Sequence, residues 1–206
     1  MVTAVKNNRK TKNFFLPEHK DQIETLFNPK TPSYLHLKEQ VTGRDMPWYS
    51  MLETVDVDTT EQDYGFFSHA VLLGPSKDIG HQFWNLFSTP VSPDYLPLTQ
   101  QVVREILDAN KLDYSCIYRM NFNLCLHKGE NVTSPLHTDL HFPHKILLIY
   151  MSNFSGGETV VEIDGVKHLS EPEEDKIIHV DGKYQHGVNY PSGIHDRRIV
   201  LNVCYM

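Results

Sequence analysis

Apolar runs with the two-residue period of β-strands dominate the second half of the chain. Bounded mostly by Gly, Pro, Asn or Asp turn signals, they predict five strands, which cover residues 121–126, 146–151, 160–163, 176–180 and 199–205. The run 146–151 is apolar throughout, which is typical of a buried strand. The last run alternates, so one face is predicted to carry Arg198, Val200, Asn202 and Cys204.

The first half of the chain has a different pattern. Apolar positions three and four residues apart predict a helix over residues 99–112. Residues 18–26 are predicted to form a short helix, and residues 29–47 an irregular segment. Residues 64–73 are predicted to form a strand, and residues 78–87 a second helix. Residues 1–13 are polar and basic, as in a frayed arm. The whole pattern predicts an α+β fold in which helices support one sheet of a β-sandwich.

Length and composition indicate the number of domains, the class of partner and the cellular compartment. At 206 residues, without a linker rich in Pro, Gly or Ser, the chain is predicted to form a single domain. A net charge of -7 argues against a nucleic-acid partner. No segment has the roughly 18 apolar residues of a membrane span or the apolar core of a signal peptide, so we expect a cytoplasmic protein. Cys116, Cys125 and Cys204 lie in apolar runs, as reduced, buried thiols do.

One triplet carries candidate chemistry. His137 and Asp139 are two residues apart, so in an extended segment both side chains project from one face while Thr138 points away. A further histidine, His186, follows downstream. Two imidazoles and one carboxylate are the ligand set of non-haem Fe(II) oxygenases. The triplet alone is weak evidence for a metal site, because the chain has 12 histidines and repeats the His-x-Asp pattern at residues 179–181.

The order of the surrounding motifs strengthens this interpretation. After the triplet come an apolar strand, the segment Gly156-Gly157-Glu158-Thr159, the distal His186 and a basic residue on the last strand. In this order, residues 115–206 resemble the Fe(II)- and 2-oxoglutarate-dependent oxygenases, especially the prolyl-4-hydroxylase-like branch. A narrower likeness, to small oxygenases of marine phages and metagenomes, extends over most of the chain and rests on the motifs PWY (47–49), RMNFNL (119–124) and RRIVLNVCY (197–205).

The resemblance implies a fold and a ligand set. It implies a double-stranded β-helix, or jelly-roll, core over residues 115–206, supported by a mainly helical segment over residues 14–114. His137, Asp139 and His186 would bind Fe(II). His179 and His195 compete for the third position, but His179 lies within an apolar strand-like run and His195 lies in the turn close to Arg198.

The resemblance also indicates how 2-oxoglutarate would bind. Arg198 would pair with its distal carboxylate, because a guanidinium binds a carboxylate bidentately and keeps its charge; Arg197 is the alternative. Other polar side chains are candidates for cofactor binding: Asn121, Asn123, Asn202 and Tyr150. Relatives place a tyrosine near the end of the strand where this chain has Leu126, which leaves the second carboxylate contact open between Tyr150 and Tyr118.

The implied activity is that of a dioxygenase that hydroxylates a substrate while 2-oxoglutarate and dioxygen are converted to succinate and carbon dioxide. Family likeness favours a protein or peptide side chain, such as proline, as the substrate. A nucleobase or small-molecule oxygenase is the alternative, and a non-catalytic β-sandwich binding module is the third. His141 and His144 are predicted to lie on the loop leaving the site, exposed or in contact with substrate.

Overall fold

The structure is a computed structural model that describes residues 23–51, 65–74, 88–129 and 132–206. Within these ranges there are two helices and eleven strands. The helices are α1 (Pro32–Thr42) and α2 (Leu96–Ala109). The strands are β1 (Ile23–Leu26), β2 (Tyr49–Met51), β3 (Phe66–Leu73), β4 (Thr89–Pro90), β5 (Ile117–Leu126), β6 (Lys145–Tyr150), β7 (Thr159–Ile163), β8 (Val166–Ser170), β9 (Ile177–Asp181), β10 (Gln185–Val188) and β11 (Arg197–Tyr205).

Two antiparallel sheets form the core of the fold. The larger sheet has the strand order β1-β9-β6-β11-β5-β3-β2, with β4 paired to β3, and the smaller sheet has the order β10-β7-β8. Isolated bridges between His137 and His186 and between Thr133 and Asn189 place residues 133–137 beside β10. The two packed sheets and the two helices confirm the predicted α+β jelly-roll fold.

The central strand β11 separates the two hydrophobic clusters. Its residues Ile199, Leu201, Val203 and Tyr205 belong to the cluster that includes the buried faces of α1 and α2. Val200 and Cys204, on the opposite face, belong to the cluster that also contains β7 residues of the smaller sheet. Helices therefore cover one face of the large sheet, and the face that carries Arg198 and Asn202 looks toward the small sheet.

The predicted strands of the second half are confirmed, with changed ends. β5 starts four residues earlier than the predicted segment 121–126, and β11 starts two residues earlier than the segment 199–205. The predicted strand 64–73 is confirmed as β3, and the predicted helix 99–112 as α2. The predicted helix 78–87 lies outside the described residues.

Two predictions for the first half are wrong. Where residues 18–26 are described, they form β1, which pairs with β9 along the edge of the large sheet. An unpaired sheet edge offers backbone hydrogen bonds that a short, marginal helix cannot match. Residues 29–47, predicted to be irregular, contain α1; the Thr31 side chain caps it by accepting from the amide of Tyr34, and Pro32 begins it.

One acidic side chain ties α1 to the connection between β8 and β9. Asp175 accepts hydrogen bonds from the Tyr34 hydroxyl (2.7 Å) and the Lys38 ammonium (2.5 Å), and it pairs with Lys30 (2.8 Å). Burial by itself raises the pKa of Asp175, but the hydrogen bonds from Lys30 and Lys38 outweigh it and lower the pKa to about 2. The turn over residues 171–176 is therefore anchored to α1.

The cysteines depart from expectation at one position. Cys125 and Cys204 are buried, as predicted, but Cys116 is exposed because it precedes β5 rather than lying within it; all three are free thiols. Among the described residues, neither helix has the length and apolar character needed to cross a membrane.

Candidate metal centre

The backbone itself brings the two histidines of the candidate centre together. His137 donates its amide to the carbonyl of His186 (3.0 Å), and His186 returns a bond to the carbonyl of His137 (2.9 Å). Residues that exchange both backbone bonds in an antiparallel pair project side chains to the same side. The two imidazole centroids are accordingly 4.8 Å apart.

Asp139 completes the group from the loop that follows. Its carboxylate oxygens lie 3.9 Å from His137 Nε2 and 3.4 Å from His186 Nε2, and its side chain is 1% exposed. One ligand atom from each of His137, Asp139 and His186 lies within 4.8 Å of the others. The structure thus brings together the three residues that the sequence singled out.

The other two histidines considered for the third position are not part of this group. His179, on β9, contacts the Glu24 carboxylate (3.2 Å) and the Tyr205 hydroxyl (3.0 Å). His195 lies in the turn before β11. Of the two histidines after the triplet, His141 is exposed, as expected. His144 is buried and bonds to the carbonyl of Phe142, so the prediction of an exposed side chain is wrong for His144.

The His137 imidazole is prepared to act as a neutral nitrogen donor. His137 Nδ1 lies 3.2 Å from the carbonyl of Pro135, which can only accept, so Nδ1 carries the hydrogen and Nε2 keeps its lone pair. Burial, followed by the charge of His186, lowers the pKa of His137. His186 Nδ1 is buried without a hydrogen-bond partner among the described residues. Both Nε2 atoms face the Asp139 carboxylate.

The Asp139 carboxylate is held in its ionised form. Arg119 Nη1 lies 2.5 Å from Oδ1, and Asn202 Nδ2 donates to Oδ2 at 3.0 Å. Burial alone raises the pKa of Asp139, but the guanidinium of Arg119 and then His186 hold it well below the usual value. Two imidazoles and an ionised carboxylate form a donor set that fits a divalent transition metal such as Fe(II).

A cavity of about 220 Å³ lies between the sheets and is lined by all three members of this group. Arg198 lines the same cavity, four residues before Asn202 and on the same face of β11. The rise of a strand places their Cα atoms roughly 13 Å apart. The cavity therefore joins the candidate metal ligands to a basic group farther along one strand.

Arg198 is a buried cation without a carboxylate partner in the described part of the chain. Its side chain is almost fully enclosed, at 3% exposure. Nε donates to the carbonyl of Gly157 (2.8 Å), Nη2 donates to Thr159 Oγ1 (2.9 Å), and the guanidinium lies over the rings of Tyr150 and Phe154. A buried charge is costly unless it is paired. The arrangement accordingly favours an anionic ligand in the cavity.

Arg197 points elsewhere. It begins the other face of β11 and donates from Nη1 to the carbonyl of Thr42 at the end of α1 (3.3 Å). It is not among the residues that line the cavity. The two adjacent arginines therefore have separate surroundings.

The polar residues predicted to bind the co-substrate are divided between different partners. Asn123 lines the cavity and accepts from Ser68 Oγ (3.0 Å). Asn121 and Asn202 also line it, but their amides bond to Arg119 and Asp139 respectively. Tyr150 is fully buried outside the lining, and its hydroxyl bonds to Thr159 Oγ1 (2.7 Å).

The two remaining aromatic and apolar positions lie apart from the site. Tyr118 packs against Phe142, with ring centroids 5.1 Å apart, and Leu126 is 40% exposed at the end of β5. Neither lines the cavity.

Sequence reasoning missed two residues of the site. The sequence shows Arg119 only as part of the RMNFNL motif, because the predicted strand begins at residue 121. The observed β5 begins at Ile117, and its period puts Arg119 on the same face as Asn121 and Asn123. Thr159 belongs to the Gly156-Gly157-Glu158-Thr159 segment and contacts Arg198. The contacts of Arg119 with Asp139 and of Thr159 with Arg198 depend on which distant segments pair in the fold, and the local sequence pattern does not contain that information.

Comparisons with known proteins support the fold. No family model matches the chain, and no curated protein matches it. Solved structures do match: a 2OG-Fe(II) oxygenase family oxidoreductase from Burkholderia pseudomallei has a TM-score of 0.62 at 14% identity, over 91% of this chain and 86% of that one.

Two further matches differ in what they act on. A prolyl hydroxylase from Trichoplax adhaerens, in complex with a hypoxia inducible factor peptide fragment, has a TM-score of 0.57 at 10% identity, over 91% of this chain and 84% of that one. The epimerase SnoN, in complex with Fe3+, alpha ketoglutarate and nogalamycin RO, has a TM-score of 0.56 at 8% identity, over 91% and 80%. At these identities the likeness establishes the fold alone, the jelly roll that these enzymes share. The narrower likeness to phage oxygenases stays a prediction.

Proposed function

We propose that this protein is an Fe(II)- and 2-oxoglutarate-dependent dioxygenase that hydroxylates its substrate. The observation that carries the proposal is the shared cavity. It is lined both by a complete set of two imidazoles and a carboxylate and by the buried cation of Arg198, which has no carboxylate partner among the described residues. A metal site alone fits many functions. A metal site beside an enclosed guanidinium fits a co-substrate that is both a metal chelator and an anion.

Each residue has a role in this proposal. His137, Asp139 and His186 would hold Fe(II), which when bound supplies the centre that activates dioxygen and couples the decarboxylation of 2-oxoglutarate to substrate oxidation. Arg198 would pair with the distal carboxylate of 2-oxoglutarate. Thr159, which lines the cavity and bonds to Arg198, would make the second contact to that carboxylate through its hydroxyl.

Two aromatic rings behind the cavity wall support the orientation of Arg198. The rings of Tyr150 and Phe154 lie 5.6 and 5.8 Å from the guanidinium carbon and keep water from that side of it. In a site of low dielectric, an ion pair with the co-substrate is stronger than in water. These residues therefore contribute orientation and exclusion of water rather than direct chemistry.

For the substrate, we propose a protein or peptide side chain such as proline. The support is the likeness in fold to a prolyl hydroxylase that is seen with a peptide. The cavity also reaches Met51, which is 42% exposed, and Phe66. An apolar rim of this kind suits an apolar side chain that enters from a larger ligand. A small-molecule substrate is the second candidate, favoured by the equally extensive match to SnoN.

The enzyme class is tested by anaerobic titration. Fe(II) and 2-oxoglutarate added together to the wild-type protein are expected to give the weak visible charge-transfer band of a chelated keto acid, and Asp139→Ala is expected to give none. On admission of air, slow succinate release without substrate is the expected result. A wild-type protein that binds neither component would contradict the proposal and leave the binding-module interpretation.

The substrate is tested separately by mass spectrometry. Peptides that contain proline, free nucleosides and small cyclic molecules are incubated with the complete system, and a mass gain of one oxygen atom is sought. Gain on the peptides alone supports the first candidate. Gain on small molecules or nucleosides alone would replace it without affecting the enzyme class.

A further inference from the structure

Two cross-strand pairs on the large sheet form a floor beneath the candidate metal centre. In the register of β5 and β11, Asn121 pairs with Asn202, and Arg119 pairs with Cys204. All four side chains lie on the face that looks toward the small sheet. Asp139, which comes from a loop, rests against three of them: Arg119, Asn202 and Cys204.

The contacts on this floor fix both oxygens of the Asp139 carboxylate. Arg119 Nη1 lies 2.5 Å from Oδ1, and Asn202 Nδ2 lies 3.0 Å from Oδ2. Two donors that project from neighbouring strands define the plane of the carboxylate. A loop side chain that otherwise rotates about two torsions is thereby held in one orientation.

Arg119 is itself fixed. With the Asn121 amide oriented so that its oxygen faces the guanidinium, that oxygen accepts from Arg119 Nε (3.0 Å) and Nη2 (2.9 Å). All three guanidinium nitrogens are then engaged by the protein. This distinguishes Arg119 from Arg198, whose charge has no carboxylate partner among the described residues.

Resting on the proposed function, we propose that Arg119 is a positioning residue that orients Asp139 for metal binding, with Asn202 as its counterpart on the second oxygen. Asn121 and Asn202 then serve the metal ligand instead of 2-oxoglutarate. Arg119 also lines the cavity, but Asp139 and Asn121 engage its guanidinium nitrogens, so it would act through Asp139.

Positioning and simple charge predict opposite effects on metal affinity. A cation close to a divalent metal repels it, so a purely electrostatic Arg119 would weaken metal binding and its removal would tighten it. A positioning Arg119 fixes the ligand before the metal arrives, so its removal would weaken binding. Losing the hydrogen-bond partner of a ligand typically costs roughly 10- to 100-fold in metal affinity.

The experiment measures Mn(II) binding by calorimetry, with Mn(II) as a stand-in for Fe(II) that air does not oxidise. Arg119→Met is expected to weaken binding roughly 10- to 100-fold. Arg119→Lys is also expected to weaken it, because one ammonium keeps the charge but cannot hold the planar, forked contact to Asn121 and Asp139. Arg104→Met, on the exposed face of α2, is the matched control and should bind as the wild type does.

The outcomes separate this inference from the proposed function. Unchanged or tighter binding by Arg119→Met overturns the inference. Wild-type affinity in Arg119→Lys also overturns it, because it would show that the forked contact to Asn121 and Asp139 is not needed. If Arg119→Met fails to fold, Asn202→Ala decides: weaker Mn(II) binding supports positioning, and unchanged binding overturns it. A wild-type protein that binds Mn(II) no better than Asp139→Ala would instead overturn the proposed metal centre itself.

Discussion

The two arginines that begin β11 offer a matched pair of substitutions. Arg198 lines the cavity at 3% exposure, whereas Arg197 lies on the other face and bonds to the carbonyl of Thr42. Arg198→Met and Arg197→Met remove the same charge from neighbouring positions of one strand. Any difference in 2-oxoglutarate binding between them therefore belongs to the cavity and not to the net charge of the protein.

The expected size of the effect follows from the burial of Arg198. Truncating one partner of a buried, hydrogen-bonded charge pair costs about 2–5 kcal/mol. A loss of about 3 kcal/mol raises the Kd for 2-oxoglutarate roughly 150-fold. Arg197→Met, as a change away from the cavity, should alter the Kd by no more than about twofold.

Stability should respond differently from binding. Arg198→Met leaves the carbonyl of Gly157 and the hydroxyl of Thr159 without one donor, at about 1–3 kcal/mol each. It also removes a buried cation that has no carboxylate partner among the described residues, which is worth about 1–4 kcal/mol. Because these opposing effects are similar in size, we expect the Tm without co-substrate to stay within about 4 °C of the wild type.

Calorimetric titration of 2-oxoglutarate into the Mn(II)-loaded proteins measures the affinities, and differential scanning calorimetry measures the Tm. Wild-type affinity in Arg198→Met would refute the assignment of the distal carboxylate to this residue. A loss that Arg197→Met shares in full would show that long-range charge, and not the cavity, governs binding.

Three other outcomes are expected from the structure. Gly157→Ala should weaken 2-oxoglutarate binding, because at φ +72 the added Cβ would lie 3.2 Å from Arg198 Cδ. Gly165→Ala is the control: at φ +76 the added Cβ would meet no atom within 4 Å, so this variant should only lose stability. Asp175→Asn should lower the free energy of unfolding at pH 7 by about 2 kcal/mol, as measured by urea denaturation. The pKa of Asp175 in the folded protein is about 2, below the usual 3.8, so the ionised carboxylate stabilises the fold above pH 4 and this stability is lost as the pH falls toward 2. In an NMR titration of the metal-free protein, the His137 ring should take up its proton at a pH below the usual histidine pKa of 6.5, since burial lowers its pKa.

Each of these outcomes has a result that would contradict it. Equal 2-oxoglutarate affinity in Gly157→Ala and Gly165→Ala would show that the backbone of residue 157 does not position Arg198. An Asp175→Asn protein as stable as the wild type would mean that the partner lysines contribute nothing net. A pKa of 6.5 or above for the His137 ring in the NMR titration would show that burial does not lower it.

The sequence predicted the site better than the first half of the fold, for a physical reason. The spacing of His137 and Asp139 and the alternation along β11 are local patterns, so the period of a strand suffices to place these side chains on a face. The α1 helix was missed although Thr31 and Pro32 are an ordinary N-terminal signal, because few apolar positions mark its buried side. β1 was misassigned because its conformation depends on the edge of β9.

The roles of the polar residues around the site depended on register, which a single sequence does not contain. Asn121 and Asn202 were grouped with the co-substrate because strand asparagines need a partner. Only the pairing of β5 with β11 shows that they lie opposite each other, beside Arg119 and beneath Asp139. Tyr150 was grouped in the same way, but its hydroxyl bonds to Thr159 behind the cavity wall.

The reciprocal backbone bonds between His137 and His186 have an evolutionary consequence. Because a main-chain ladder sets the distance between the two imidazoles, that distance is insensitive to the residues of the neighbouring loops. Insertions or substitutions in residues 141–143 or 192–195 can reshape the surface presented to a ligand while the ladder keeps its dimensions. New specificities can therefore arise in this scaffold without the ligand histidines having to be repositioned.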